Sequence, residues 1–130
     1  MLKLDDLEVY QLSMEVSDEI WDLVSKWESF EKFSIGTQFV KAADSISANI
    51  SEGYGRFFYN ENKQFCYYSR GSLLETKTWL TKSFKRKLIT ENTYKKMIEK
   101  LEQNHIKLNA YIKSIKRQIS KWNIFNYDQW

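Results

Sequence analysis

Apolar side chains recur every three or four residues along four segments of the chain, and this spacing predicts four α-helices. The predicted helices cover about residues 5–28, 34–52, 59–84 and 90–120. Ser34 and Thr90 stand where a hydroxyl can accept a hydrogen bond from the first free amides of a helix. Residues 1–121 are therefore interpreted as one all-α domain, and residues 122–130 as an aromatic tail beyond it.

Composition agrees with a single helical domain. The chain has 130 residues, no proline and four glycines. Cys66 and His105 are each the only residue of their type, so the sequence offers neither a disulfide nor a pair of zinc ligands. We predict no metal and no cofactor, and we interpret His105 as a packed, hydrogen-bonded core residue. The sequence shows no signal peptide and no run of the ~20 apolar residues that a membrane span needs. We therefore expect a cytoplasmic protein with no membrane partner.

The first predicted helix carries two apolar stripes, whereas a surface helix of a monomeric bundle usually carries one. The second stripe is either buried within a small bundle or left for another subunit. Its aromatic residues favour the subunit contact, because such residues are enriched at interfaces. We therefore predict a homo-oligomer whose interface includes Tyr10, Met14, Trp21 and Val24.

The stretch SISANISEGYGR ends the second helix and begins the turn to the third. Its apolar periodicity stops at Gly53, which predicts a left-handed helix cap at that residue. Glu52 and Arg56 are four residues apart, a spacing that allows a salt bridge. On the third helix, Gly71 predicts close approach of another part of the molecule, since glycine inside a helix is otherwise unfavourable.

These polar residues are predicted to be structural rather than catalytic. We expect Asn49, Glu52, Arg56 and a partly buried Glu75 to form one cluster, although local capping is the simpler interpretation for Asn49. A hydrolase that uses Glu52 or Glu75 is disfavoured, because no nucleophile, oxyanion feature or metal ligand accompanies them. The sequence therefore predicts no enzyme.

Positive charge is concentrated in the C-terminal half, where residues 82–121 hold 12 basic and 3 acidic side chains. Such a surface is either simply solvated or contacts the phosphates of a nucleic acid, whose binding would then depend strongly on salt. The predicted nucleic-acid-binding residues are Lys85, Arg86, Lys87, Lys96, Lys100, Lys107, Lys113 and Arg117.

Three stretches carry a resemblance over nearly all of residues 4–119: LEVYQLSMEV, SISANISEGYGR and SRGSLLE. They resemble the bacterial four-helix-bundle family first associated with intervening sequences of the large-subunit ribosomal RNA. Ser47 replaces a proline that is usual there, and Phe57 and Phe58 stand where a basic and a small polar residue are common. The residues that match the family motif are Asn49, Glu52, Gly53, Gly55, Arg56, Gly71, Ser72 and Glu75.

The resemblance implies an antiparallel up-down-up-down bundle that assembles into rings, commonly pentameric, without an established enzymatic activity. A more distant relative is the accessory variability determinant of diversity-generating retroelements, a basic pentameric barrel that binds RNA and a reverse transcriptase. We therefore predict a non-enzymatic scaffold that associates with RNA or DNA, together with a protein partner such as a reverse transcriptase. The alternative is a protein–protein adaptor with no nucleic-acid role.

Overall fold

The structure, a computed structural model, describes residues 3–129, with side chains from residue 3 to residue 123. This part of the chain is all-helical and contains no strand, which confirms the predicted fold class. None of its helices combines the length and apolarity needed to cross a bilayer. The long helices are α1 (Glu8–Ser25), α2 (Thr37–Tyr54), α3 (Tyr59–Lys85) and α4 (Glu91–Gln129).

The helices pack around one core, and each contacts its sequence neighbours, with α1 also contacting α4. The side chains that meet across α3 and α4 run in opposite order along the two helices, as an up-down bundle requires. These pairs are Asn62 with Tyr111 at 3.2 Å, Arg70 with Asn109 at 3.0 Å, and Lys77 with Glu102 at 2.7 Å.

The core is built from the apolar stripes that the sequence predicted. Each fully buried aliphatic or aromatic side chain stabilises the fold by about 1.5–3 kcal/mol relative to an exposed one. The largest fully buried apolar side chains are Ile20, Phe39, Ile46, Ile50, Leu73, Leu80, Leu101 and Leu108.

The predicted link before α2 is helical, which corrects the sequence interpretation. Ser29–Glu31 forms a helical turn, and Lys32–Gly36 continues it as a π-helix that leads directly into α2. Ser34 therefore caps no helix start, and its hydroxyl donates to the Phe30 carbonyl at 2.5 Å. No glycine or proline interrupts residues 28–35, so nothing in the local chemistry opposes helix there.

Gly53 does not cap α2, contrary to prediction. Helix α2 continues to Tyr54, and its C-cap is Gly55 with an ordinary φ of −77°. Gly53 is buried against α3, where an added Cβ would lie 2.7 Å from Asn62 Oδ1 and 2.9 Å from the Phe65 Cβ. The residue is glycine because the two backbones approach too closely for any side chain.

Gly71 was predicted to mark such a close approach and does not. It lies on the exposed side of α3, and an added Cβ there would have no neighbour within 4 Å. Two residues earlier on α3, Ser69 does contact α2, because its hydroxyl donates to the Ile46 carbonyl at 2.7 Å in a buried position.

The turn between α3 and α4 combines two capping interactions. The amide of Leu88 donates to the Ser83 carbonyl at 2.9 Å, and Lys87 adopts a left-handed φ of 62°. This geometry is a Schellman motif with lysine where glycine is usual. At the start of α4, the Thr93 amide donates to the Thr90 hydroxyl at 3.1 Å, which confirms the predicted cap.

Helix α4 is longer than predicted. It contains 39 residues and continues to Gln129, so residues 122–129 extend the helix instead of forming a separate tail. At 1.5 Å per residue α4 spans about 58 Å, whereas the 27 residues of α3 span about 40 Å. Trp130, the last residue of the predicted tail, lies outside the described residues.

The two glycines predict opposite effects of the same substitution. Gly53→Ala should lower the free energy of unfolding by about 1–3 kcal/mol, because the backbones of α2 and α3 must separate. Gly71→Ala should raise it by about 0.8–1 kcal/mol, because alanine is the better helix former and has room. Urea titrations of both variants would measure the difference, and equal effects would contradict the packing described at Gly53.

Candidate nucleic-acid interface

The eight predicted nucleic-acid-binding cations do not form one surface. Lys85, Arg86 and Lys87 end α3 and form the turn that follows it, whereas Lys113 and Arg117 lie in the C-terminal half of α4. At 1.5 Å per residue, about 33–39 Å separates the start of α4 from these two side chains. Between the two ends lie Lys96, Lys100 and Lys107.

Lys100 and Lys107 are neutralised by α1. The Lys100 ammonium donates to Glu15 at 3.2 Å and also to Glu19, and Lys107 lies 3.0 Å from Glu8. The hydrogen bond to Glu19 raises the pKa of Lys100, so this side chain stays charged and paired at neutral pH. Both lysine side chains are partly exposed, at 39% and 41%, but each is already paired with a carboxylate.

Lys96 belongs to a groove between α1 and α4. The groove has a volume of about 600 Å³ and is lined by four carboxylates, from Glu15, Glu19, Asp22 and Glu99, and by two further ammonium groups, from Lys26 and Lys100. The carboxylates outnumber the three lysines by one, so the local charge does not favour the approach of a phosphate to Lys96. The middle of α4 thus offers a poor surface for nucleic acid.

The first remaining group of cations is the basic turn, which we define as Lys82, Lys85, Arg86 and Lys87. All four side chains are exposed. Three of them line a shallow groove of about 650 Å³ along α3, with Lys77 at its other end. The left-handed conformation of Lys87 places it in the turn beside the others.

The second group is the basic arm, which we define as Lys113, Lys116, Arg117 and Lys121 of α4. All four are exposed, and neither Lys116 nor Lys121 was among the predicted residues. Between Glu102 and Asp128 the sequence contains no carboxylate, so no acidic residue of α4 itself lies among these cations. The basic arm lies within residues 103–127, in which every charged side chain is basic.

The predicted polar cluster does not assemble as one unit. Glu52 and Arg56 form the expected salt bridge at 2.7 Å, and Arg56 also lies 4.8 Å above the Phe65 ring. Asn49 donates to the Ser45 carbonyl of its own helix at 2.8 Å, which is the local interpretation. Glu75 is exposed on α3, so the expectations of partial burial and of membership in this cluster are wrong.

The remaining motif residue, Ser72, is half-buried on α3, where its carbonyl accepts a hydrogen bond from Thr76 at 2.7 Å. The arrangement offers no obvious chemistry. In the described part of the chain, no group of three or more His, Cys, Asp or Glu side chains is positioned to hold a metal ion.

Of the four residues in the predicted subunit interface, two belong to or pack against the core of the chain and two are exposed. Val24 is buried and Tyr10 packs against the core of its own chain, which corrects their assignment to an exposed interface. Met14 and Trp21 remain 40% and 60% exposed. Trp21 borders an apolar groove of about 380 Å³ between α1 and α2, which Phe33 also lines.

Asn104 is a buried polar residue that the sequence interpretation missed. Asn104 is fully buried, and neither of its amide atoms finds a hydrogen-bond partner among the described residues. Its position between Leu101 and Leu108 on the same stripe is the signal that could have identified it. Cys66 is also fully buried, and burial raises the pKa of its thiol to about 12, which leaves the thiol unreactive.

His105 lies at the edge of the core, where it accepts a hydrogen bond. The Lys77 ammonium donates to His105 Nδ1 at 3.2 Å and to Glu102 at 2.7 Å. Burial lowers the pKa of His105, and the positive charge of Lys77 lowers it further. Because the neutral ring accepts from Lys77, protonation would break this contact.

The geometry defines a helical bundle with exposed cations at both ends. The chain belongs to the 23S rRNA-intervening sequence protein family, whose model matches residues 5–110. No curated protein matches it.

One solved structure shows the same fold. It is a protein of unknown function from the S23 ribosomal protein family of Bacteroides thetaiotaomicron, 23% identical to this chain. The superposition has a TM-score of 0.76 and covers 81% of this chain and 95% of that one.

The lowered pKa of His105 predicts a pH effect on stability. The unfolded chain takes up a proton on this residue near pH 6.5, whereas the folded protein does so only at lower pH. Stability should therefore be fully present above pH 6.5 and decrease as the pH falls toward the folded pKa. Nearby Lys77 and Arg70 act in this direction, and Glu102 acts against it.

Urea titrations at neutral and mildly acidic pH would measure this decrease. His105→Gln should show a smaller decrease than the parent protein, because glutamine can still accept from Lys77 and does not titrate. An identical pH dependence in the two proteins would contradict the assignment.

Proposed function

We propose that this protein is a non-enzymatic, cytoplasmic scaffold that binds RNA through the basic arm of α4. The observation that carries the proposal is the run of exposed cations without a carboxylate between Glu102 and Asp128. Each phosphate that such cations neutralise releases counterions, which provides affinity without reading the base sequence. The family description, which names an intervening sequence of ribosomal RNA, agrees with this choice of ligand.

The distribution of salt bridges favours the basic arm, rather than the middle of α4, as the RNA-binding surface. Lys100 and Lys107 already pair with carboxylates of α1, so a phosphate would have to displace those partners. The side chains of the arm lie beyond this acidic groove. The basic turn is a second, separate positive surface, and a ligand long enough to reach both ends could use it too.

We also propose that the antiparallel bundle is the subunit of a homo-oligomeric ring, with five subunits by resemblance. Trp21 supports a subunit contact, because a tryptophan this exposed beside an apolar groove is unusual on a monomer surface. The same groove favours the alternative function, an adaptor that binds another protein, such as a reverse transcriptase, and no nucleic acid.

Charge reversal in the arm should weaken RNA binding. We expect the triple variant Lys113→Glu, Lys116→Glu and Arg117→Glu to bind RNA with lower affinity. The slope of log Kd against log salt concentration should become shallower by about 2 for single-stranded RNA. Fluorescence anisotropy with a labelled RNA between about 50 and 200 mM salt would measure both.

The matched control reverses Lys85, Arg86 and Lys87 at the opposite end, and it should reduce affinity less. If the arm variant binds as tightly as the parent, the RNA surface lies elsewhere. Salt-independent binding to a protein partner alone would favour the adaptor.

Light scattering should give a mass that is a multiple of 15.7 kDa, near five times that value for the ring. Trp21→Glu should dissociate the assembly while circular dichroism remains helical, because this side chain contributes little to its own core. Ile106→Glu is the matched control, since Ile106 is 59% exposed and lies on α4. A monomer at all concentrations would exclude the ring.

A further inference from the structure

Four aromatic side chains are exposed where α2 ends, α3 begins and α4 passes beside them. We define this aromatic corner as Phe57, Phe58, Tyr59 and Trp122, which are 90%, 60%, 44% and 55% exposed. The rings of Phe57 and Phe58 meet edge to face with centroids 5.0 Å apart. Together the four residues border a cleft of about 370 Å³.

The fold gives little reason for the two phenylalanines. Phe58 supports the start of α3 through its backbone, because its carbonyl accepts from the Asn62 amide at 3.2 Å while its ring stays exposed. Phe57 lies in the turn with its ring almost wholly in water. Because aromatic rings gain much of their stabilising effect from burial, rings this exposed point to a ligand that covers them.

The charges around the corner indicate what that ligand is. Trp122 lies one residue after Lys121 and five after Arg117, so one member of the aromatic corner lies on the turns of α4 that carry the basic arm. Of the nearby carboxylates, Glu52 is paired with Arg56, and Glu61 is exposed on the first turn of α3. A ligand that meets rings and cations together needs flat apolar groups along a negatively charged backbone.

We infer that the aromatic corner stacks unpaired bases of a single-stranded RNA while the basic arm contacts its phosphates. The inference rests on the proposed function and adds the kind of RNA that this surface takes. Rings can stack on the faces of bases only where the bases are unpaired, so a duplex cannot use the corner. Asn60 and Asn123 line the same cleft, and their amides can donate to and accept from base edges.

The test compares two double variants of the full chain. Phe57→Ala with Phe58→Ala removes the two most exposed rings of the corner. Phe30→Ala with Ile106→Ala is the matched control, because those side chains are 80% and 59% exposed and lie outside both the aromatic corner and the apolar groove beside Trp21. The probes are a fluorescein-labelled oligouridylate and a duplex RNA of the same length, each titrated at two salt concentrations.

We expect the corner variant to bind the single strand about tenfold or more weakly, since stacking one base on one ring contributes a factor of about 5–150. Its salt slope should stay unchanged, because no phosphate contact is lost. Its thermal melt should match that of the parent protein. The control variant should bind as the parent does, and the duplex should bind more weakly than the single strand, with equal affinity for all three proteins.

Other outcomes separate the two proposals. Unchanged binding of the single strand by the corner variant would overturn this inference and leave the basic arm in place. If the parent protein binds neither RNA at low salt, both proposals fail. If the corner variant changes the mass in solution and not the RNA affinity, the rings form a subunit contact and the inference is wrong.

Crosslinking provides a measurement that does not depend on a variant. A single-stranded RNA that contains 4-thiouridine should crosslink, on irradiation of the parent protein, to the peptides that carry Phe57 to Tyr59 or Trp122. Crosslinks confined to the basic turn or to α1 would overturn the assignment.

Discussion

The close approach of α2 and α3 is the constraint on which the rest of the bundle depends. At Gly53 the helices are too near for a side chain, and at Ser69 a buried hydroxyl donates across them to the Ile46 carbonyl at 2.7 Å. Because a buried hydroxyl without a partner costs about 1–3 kcal/mol, this bond specifies the register of the two helices. The register in turn places the start of α3, and with it the aromatic corner, beside the far end of α4.

The opposite side of the bundle is held differently. Between α1 and α4 a groove remains, and the lysines of α4 bridge it to Glu8, Glu15 and Glu19. Exposed ion pairs of this kind stabilise a fold by only about 0–1 kcal/mol each. They therefore contribute more to the orientation of α1 relative to α4 than to the stability of the contact between the two helices. Their larger consequence is electrostatic, because they neutralise the middle of α4 and leave net positive charge at its two ends.

The sequence predicted the features that depend on local chemistry. The four helices follow from apolar periodicity, the Thr90 cap from a hydroxyl at a helix start, and the salt bridge of Glu52 with Arg56 from helical spacing. The predictions failed where contacts between segments that are distant in sequence determine the structure. The sequence predicted a helix cap at Gly53 and a close approach at Gly71, whereas the positions of α3 and of solvent make the first a packing glycine and the second an exposed one.

The candidate site shows the same division between local and distant effects. Composition identified the positive half of the chain, but whether Lys100 is free or paired depends on α1, more than 80 residues earlier. Likewise, Phe57 and Trp122 lie far apart in sequence and border one cleft only because α4 extends past the start of α3. Neither segment alone predicts this cleft, because it forms only where the two helices meet.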